Sequence, residues 1–382
     1  MKQADLLWSA ILDPASAASL DAAAWDRLVP LARQARLLAR LAVLLREQGC
    51  AGQLPAKVRE HLDAACAVAE KHGTTIRWEA SRVARALGPL GVPVILLKGA
   101  AYLLAGLPPA RGRLLSDLDI MVPKADLKRV EQALAEHGWR TLKLHPYDQR
   151  YYRRWMHELP PMIHALRGTV LDVHHTILPE SGRLHPDAGK LFAAAVPLEN
   201  APLGVLAPAD MVLHSAAHLF QDGDLAGGLR DLIDLDDLLR HFGQAQGFWD
   251  GLVPRARELH LARPLYYALR YCGRFLGTPI PAPVLDAARA GQPRWPVGPL
   301  MDALVSRAIR PEPAERRRLG GGAARWLLYV RSHWLRMPPG LLTSHLVRKA
   351  LRRWYAESEP QPATAIRADN TEGTRHDDAP GA

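Results

Sequence analysis

Hydrophobic and polar positions along the chain change period more than once. Through residues 1–70 the apolar positions recur at helical spacing, as in WDRLVPLARQARLLARLAVLLREQG, and predict amphipathic helices rich in Ala and Leu. A longer helix follows from about His72 to Leu87 and ends at Gly88 and Pro89. Behind Gly91 the pattern becomes short and continuous, and VPVILL (92–97) predicts a buried strand. AAYLLAG (100–106) predicts a helix closed by Gly, and GLPPARGR a loop. DLDIMV (117–122) is the next strand. KADLKRVEQALAEHG (124–138) is a helix whose last residue suits a left-handed cap. WRTLKL (139–144) is a third strand, and MIHAL (162–166) with TVLDVHHTI (169–177) makes a hairpin around Arg167-Gly168. From about Pro208 the helical period returns in MVLHSAAHLFQ, LRDLIDLDDLLRHFG, FWDGLVPRARELH and RPLYYALRYCGRFLG.

These changes predict an α+β fold: a small mixed sheet flanked by N-terminal and C-terminal helical regions. The expected boundaries are 1–88 for the first helical region and 89–206 for the α/β core. A helical domain with a basic end takes 207–356, and a disordered tail poor in apolar residues takes 357–382. With 382 residues and 48% hydrophobic content, the chain can bury a sizeable core. The three cysteines, Cys50, Cys66 and Cys272, make no metal or redox spacing. Neither a signal-type start nor an apolar run of about 18 residues occurs, so a cytoplasmic setting is expected.

The net charge of +10 is concentrated at one end. Residues 310–353 hold ten Arg and one Lys against two Glu, which leaves the rest of the chain near neutral. The same segment contains Trp326 and Trp334, with Trp354 just beyond it. It fits a helical subdomain with Trp in its core and snorkelling Arg. It equally fits a peripheral contact with an anionic membrane, a nucleic acid or an acidic protein.

Strand side chains alternate, so Asp117 and Asp119 share one face while Leu118 and Ile120 take the other. Two ionised carboxylates so close are costly unless a cation compensates. Hard cations such as Mg2+ take oxygen ligands, one or two carboxylates among them. Asp172, inside the apolar run Val170–Val173, is a third carboxylate; beside the first two it would complete a two-metal site. On the phosphate side, Gly99 opens a short helix behind a strand, where backbone N–H groups and a side-chain-free approach suit phosphate. Lys98 adds a charge, Arg111 and Arg113 lie in the loop before the aspartates, and Ser116 can donate to phosphate or cap a turn.

The ordered set LLKGAA…R…SDLDIMV…VLDVHH resembles the DNA polymerase beta-like nucleotidyltransferase superfamily: a turn hG[GS], then hDh[DE]h, then a third hDh. Within it the chain is most similar to the uncharacterised bacterial nucleotidyltransferases, through its KG turn, its S-D-x-D strand, its hDhHh strand and the helices LHSAAHLF and LRDLIDLDDLL. The resemblance covers roughly residues 90–240. It implies that Asp117, Asp119 and Asp172 are catalytic and hold two Mg2+ ions, with Asp172 helping to deprotonate the attacking hydroxyl. It implies nucleotide binding at Lys98, Gly99, Arg111, Arg113 and Ser116. Ala100 departs from the pattern, standing where Gly or Ser usually meets phosphate. The implied function is transfer of an NMP from an NTP, ATP on abundance alone, to a hydroxyl of an unidentified acceptor. A non-catalytic regulatory or docking protein on the same fold is the alternative.

Other residues carry plainer readings. His174 and His175 follow Asp172; His174 shares its face, which suits a structural histidine or, as the alternative, one near the metals or the nucleotide. His214 and His218 have the i, i+4 spacing of a zinc helix without its Glu, so packing is expected. In LRDLIDLDDLL the apolar residues keep helical spacing, which predicts a solvated acidic face with an Arg230–Asp234 pair; one of its aspartates is a candidate for the acceptor pocket.

Overall fold

A computed structural model of the chain describes residues 3–142, 156–199, 201–222, 225, 227–311, 319–337 and 340. The last two residues of WRTLKL, half of the basic segment at 310–353, Trp354 and the tail at 357–382 lie outside the described residues. Met1–Pro338 forms one compact unit.

The unit begins with five helices: α1 (Gln3–Leu12), α2 (Pro14–Ala18), α3 (Ala22–Gln34), α4 (Leu38–Glu47) and α5 (Ala56–Leu87). The Asp21 side chain caps α3 by accepting from the Ala24 N–H at 2.7 Å. α5 is far longer than the expected His72–Leu87 run. Its buried positions Val58, Leu62, Cys66, Ala69, Gly73, Ile76, Ala80, Val83 and Leu87 step by three and four along one stripe, and small residues within it weaken the sequence signal.

The sheet has seven strands: β1 (Ile95–Leu96), β2 (Asp117–Met121), β3 (Trp139–Thr141), β4 (Met162–His164), β5 (Val170–His174), β6 (Val196–Pro197) and β7 (Gly204–Val205). Their order is β3-β4-β5-β2-β1-β7-β6. The β2–β5 and β1–β7 pairs are parallel and the others antiparallel. The mixed sheet with helices on either side in sequence is the expected α+β class. β4 and β5 form the expected hairpin. β6 and β7 were not expected, because two-residue strands show no period. α6 (Lys98–Leu104) follows β1, and α7 (Leu127–Glu136) follows β2 through a 3-10 turn. Gly138 closes α7 with a φ of +94°, as its sequence suggested.

One ion-pair cluster pins the β4–β5 turn to α5. Arg167 donates to both oxygens of the buried Glu79, from Nε at 2.7 Å and Nη2 at 2.8 Å, and Thr169 Oγ1 donates at 2.8 Å. Against the desolvation of burial, these donors hold the Glu79 carboxyl below its ordinary value.

Beyond the sheet, the Pro208–Ala217, Gly228–Phe242 and Ala262–Leu276 helices pack on one another. The first runs into a π-helical turn at His218–Asp222. In the Leu319–Arg336 helix the core reading of the tryptophans fails for the two that are described. Trp326 is 63% exposed, and Trp334 is 44% exposed with the Arg183 guanidinium 4.7 Å above its ring. The three cysteines are free and buried. Among the described residues no helix is long and apolar enough to cross a membrane.

Candidate active site

β2 and β5 run parallel in a register that pairs Asp117 with Val170 and Asp119 with Asp172. Adjacent strands lie about 4.8 Å apart, so the Asp119 and Asp172 side chains stand side by side on one face. Leu118 and Ile120 alternate to the other face and are fully buried. His174, two residues beyond Asp172, returns to the carboxylate face.

Asp119 is the hub. Lys98 Nζ donates to its Oδ1 at 3.2 Å, and His174 Nε2 donates to the same oxygen at 3.0 Å. Against its burial, Lys98 and His174 hold the Asp119 carboxyl well below the usual carboxylate range. Burial lowers the Lys98 ammonium, but the Asp119 charge outweighs it and the net shift is upward. Lys98 occupies its place through an unusual backbone. Leu97 N–H still follows β2, donating to Asp119 O at 3.0 Å, and Lys98 then turns the chain into α6 with a φ of +46°. A left-handed non-glycine residue costs on the order of 1 kcal/mol, and here the strain aims the ammonium at the carboxylate.

Asp172 has the opposite electrostatics. Desolvation, then the charges of Asp119 and Glu158, push its carboxyl up to about 7. Among the described residues its buried Oδ1 has no hydrogen-bond partner. An orphaned carboxylate oxygen beside two more carboxylates is a donor set that fits a hard divalent cation.

In front of Asp117 and Asp119 lies a cavity of about 150 Å³. Lys98, Gly99, Arg113 and Ser116 line it as well, so it gathers six of the eight residues singled out in the sequence. Asp172, beside Asp119, is outside that lining. Arg111 is not brought in: it lines a neighbouring recess and pairs with Glu47 at 3.1 Å. Ser116 Oγ donates to Asp117 Oδ1 at 3.1 Å. Arg113 is buried against Asp234. A Cβ at Gly99 would meet the Leu115 Cδ2 methyl and approach Arg113 Nε to 3.1 Å, so those side chains would have to shift to admit one.

The family model of the uncharacterised nucleotidyltransferases matches residues 21–277. The chain belongs to that family. No curated protein matches it. The family span includes the whole sheet and every residue lining the cavity.

Several cavity residues of this nucleotidyltransferase chain lay outside the sequence reading. Arg36, from the turn after α3, and Arg230 both face the cavity. Desolvation and then the Arg230 charge lower the Arg36 pKa. Arg230 is partnered by Asp231, at 2.7 Å from Nη2, and not by Asp234 as its i, i+4 spacing suggested. The Gly228–Phe242 helix is therefore no solvated acidic face. Asp234 meets Arg113, Asp237 meets Arg40 at 2.7 Å, and Asp231 and Asp234 line the cavity. Those partners come from the N-terminal helices and the 106–116 loop, which no local pattern reveals.

The histidines divide. His214 is buried and His218 faces the cavity. Burial and then the Lys98 charge lower both, His218 to about 4, so both imidazoles are neutral at pH 7. Among the described residues, His157, Glu158 and His174 form a group whose ligand atoms lie within 4.8 Å of one another. The sequence reading missed His157 and Glu158, which lie at an isolated bridge, Glu158 with His174, and carry no motif.

Proposed function

We propose that the chain is a Mg2+-dependent nucleotidyltransferase that moves an NMP from an NTP to an acceptor hydroxyl. The observation that carries this reading is the parallel register of β2 and β5, which sets the unpartnered Asp172 carboxylate beside Asp119 within the family's matched span. Asp117, Asp119 and Asp172 would hold the magnesium, two ions as the superfamily resemblance implies. When bound, Mg2+ neutralises the clustered carboxylates and the triphosphate and polarises the α-phosphoryl group.

The chain's own residues supply the rest. Arg36, Arg230 and Lys98 present positive charge to an entering triphosphate, and Ser116 offers a hydroxyl. The bond from the acceptor oxygen to the α-phosphorus forms as the bond to pyrophosphate breaks. Asp172, the third carboxylate, takes the hydroxyl proton.

The test is incubation of the protein with Mg2+, α-labelled NTPs and a cell extract. Wild type transfers label to an acceptor, and Asp117→Ala, correctly folded, does not. Equal labelling by Asp117→Ala refutes the mechanism. The Lys98–Asp119 ion pair and Ala100 favour a second reading, a non-catalytic docking or regulatory protein. Calorimetry showing no saturable NTP binding with Mg2+ selects it.

A further inference from the structure

We propose that His157, Glu158 and His174 form a separate binding site for a transition-metal ion of the Zn2+ class, set against the back of the carboxylate site.

His174 is only 2% exposed, and its two ring nitrogens have different partners. Nε2 lies 3.0 Å from Asp119 Oδ1. An ionised carboxylate has no proton to give, so Nε2 carries the hydrogen and donates it. Nδ1 is the ring nitrogen on the Glu158 side. It is buried, it has no hydrogen-bond partner among the described residues, and Glu158 Oε2 sits 3.4 Å away. A ring nitrogen and a carboxylate oxygen facing each other in a buried space are a pair of ligand atoms that suits a cation.

His157 completes the group. Its Nδ1 is also buried without a partner, and its ring centroid is 5.1 Å from that of His174. Tetrahedral bonds of about 2.0–2.2 Å hold donor atoms about 3.4 Å apart, which is the His174–Glu158 separation already present. The ligand atoms of all three residues lie within 4.8 Å of one another. The backbone sets the pair: Glu158 and His174 form an isolated β-bridge, so the segment before Leu159 is fixed against β5.

The donor set decides the class of ion. Two imidazoles and one carboxylate suit Zn2+, Co2+ or Mn2+, whereas the all-oxygen aspartates suit Mg2+. Three protein ligands leave a fourth position for water or another group. The Asp119–His174 contact is the carboxylate partner that orients a metal-bound histidine. The two sites therefore share no ligand but meet through one hydrogen bond, and an ion on Nδ1 strengthens the Nε2–H bond to Asp119.

The experiment titrates the chelator-stripped full chain with Co2+, reading visible d–d absorption, and then displaces it with Zn2+. One saturable equivalent with tetrahedral absorption is expected, unmoved by excess Mg2+. Glu158→Gln and His157→Ala, checked for fold by circular dichroism, should each weaken it by at least about tenfold. Asp117→Ala should retain it. Absence of saturable Co2+ and Zn2+ binding in the wild type overturns the proposal, as a proton alone would then hold the cluster together. Unchanged binding in both Glu158→Gln and His157→Ala overturns it as well. So does loss of binding in Asp117→Ala, which places the ion on the aspartates. None of these outcomes depends on nucleotidyl transfer.

Discussion

Replacing Asp172 with Asn should make the metal-free protein more stable at alkaline pH. The carboxyl is pushed up to about 7 from an ordinary 3.8, chiefly by desolvation and by the Asp119 charge. A carboxyl raised in the folded state is penalised whenever it must ionise. Below pH 3.8 the group is protonated both folded and unfolded, and the penalty is absent. It grows as pH rises and is complete above 7, where it reaches about 4 kcal/mol. At pH 5 the same linkage leaves about 1.5 kcal/mol. Asn keeps the shape and removes the charge, so the gain from Asp172→Asn in chelator should follow that profile, with about 4 kcal/mol as its ceiling. Urea unfolding at pH 8 and pH 5, extrapolated to water, measures it. Mg2+ should narrow the gap, because binding stabilises the wild type by about 2.7 kcal/mol at a hundredfold excess over Kd and Asn is a poor ligand. A destabilised Asp172→Asn protein in chelator at pH 8, or a gain that does not change with pH, refutes this account of the carboxyl.

Glu79→Ala strands Arg167 beside a buried gap and should cost about 3–5 kcal/mol in urea unfolding, since the ion pair is enclosed and carries a third donor from Thr169. Arg36→Ala and Arg230→Ala should each raise the KM for NTP about tenfold or more in the labelling assay, whereas Arg111→Ala, paired with Glu47 and turned away, should change it less than about twofold. Gly99→Ala forces a methyl into Leu115 and should lower the thermal midpoint through overpacking of about 1–3 kcal/mol, read by calorimetric melting.

The carboxylate side of the site was legible because strand alternation fixes which residues share a face. Asp117 and Asp119 announce themselves on an apolar strand, and Asp172 stands out in another. Their pairing across strands followed from the family resemblance, and the register then set Asp119 opposite Asp172. The cation side was less legible. Arg36 and Arg230 reach the cavity from helices distant in sequence, and a surface arginine looks the same as a site arginine until the helices are packed. Arg111 shows the converse error: proximity in the loop suggested a phosphate ligand, but its neighbour Arg113 turned inward and left it to Glu47. Glu158 was invisible because its bridge to His174 is a single backbone pairing.

The parallel pairing of β2 and β5 also governs when the site comes into being. Parallel strands cannot be joined by a tight turn, and here a helix, two further strands and a long connection separate them. A growing polypeptide that has made Asp117 and Asp119 still lacks the neighbour that crowds them. Carboxylate repulsion therefore enters only when β5 docks, a long-range closure late in assembly. Divalent cation present at that moment would act as a folding aid before it acted as anything else, and refolding with and without Mg2+ should differ in rate at the step that brings Asp172 into place.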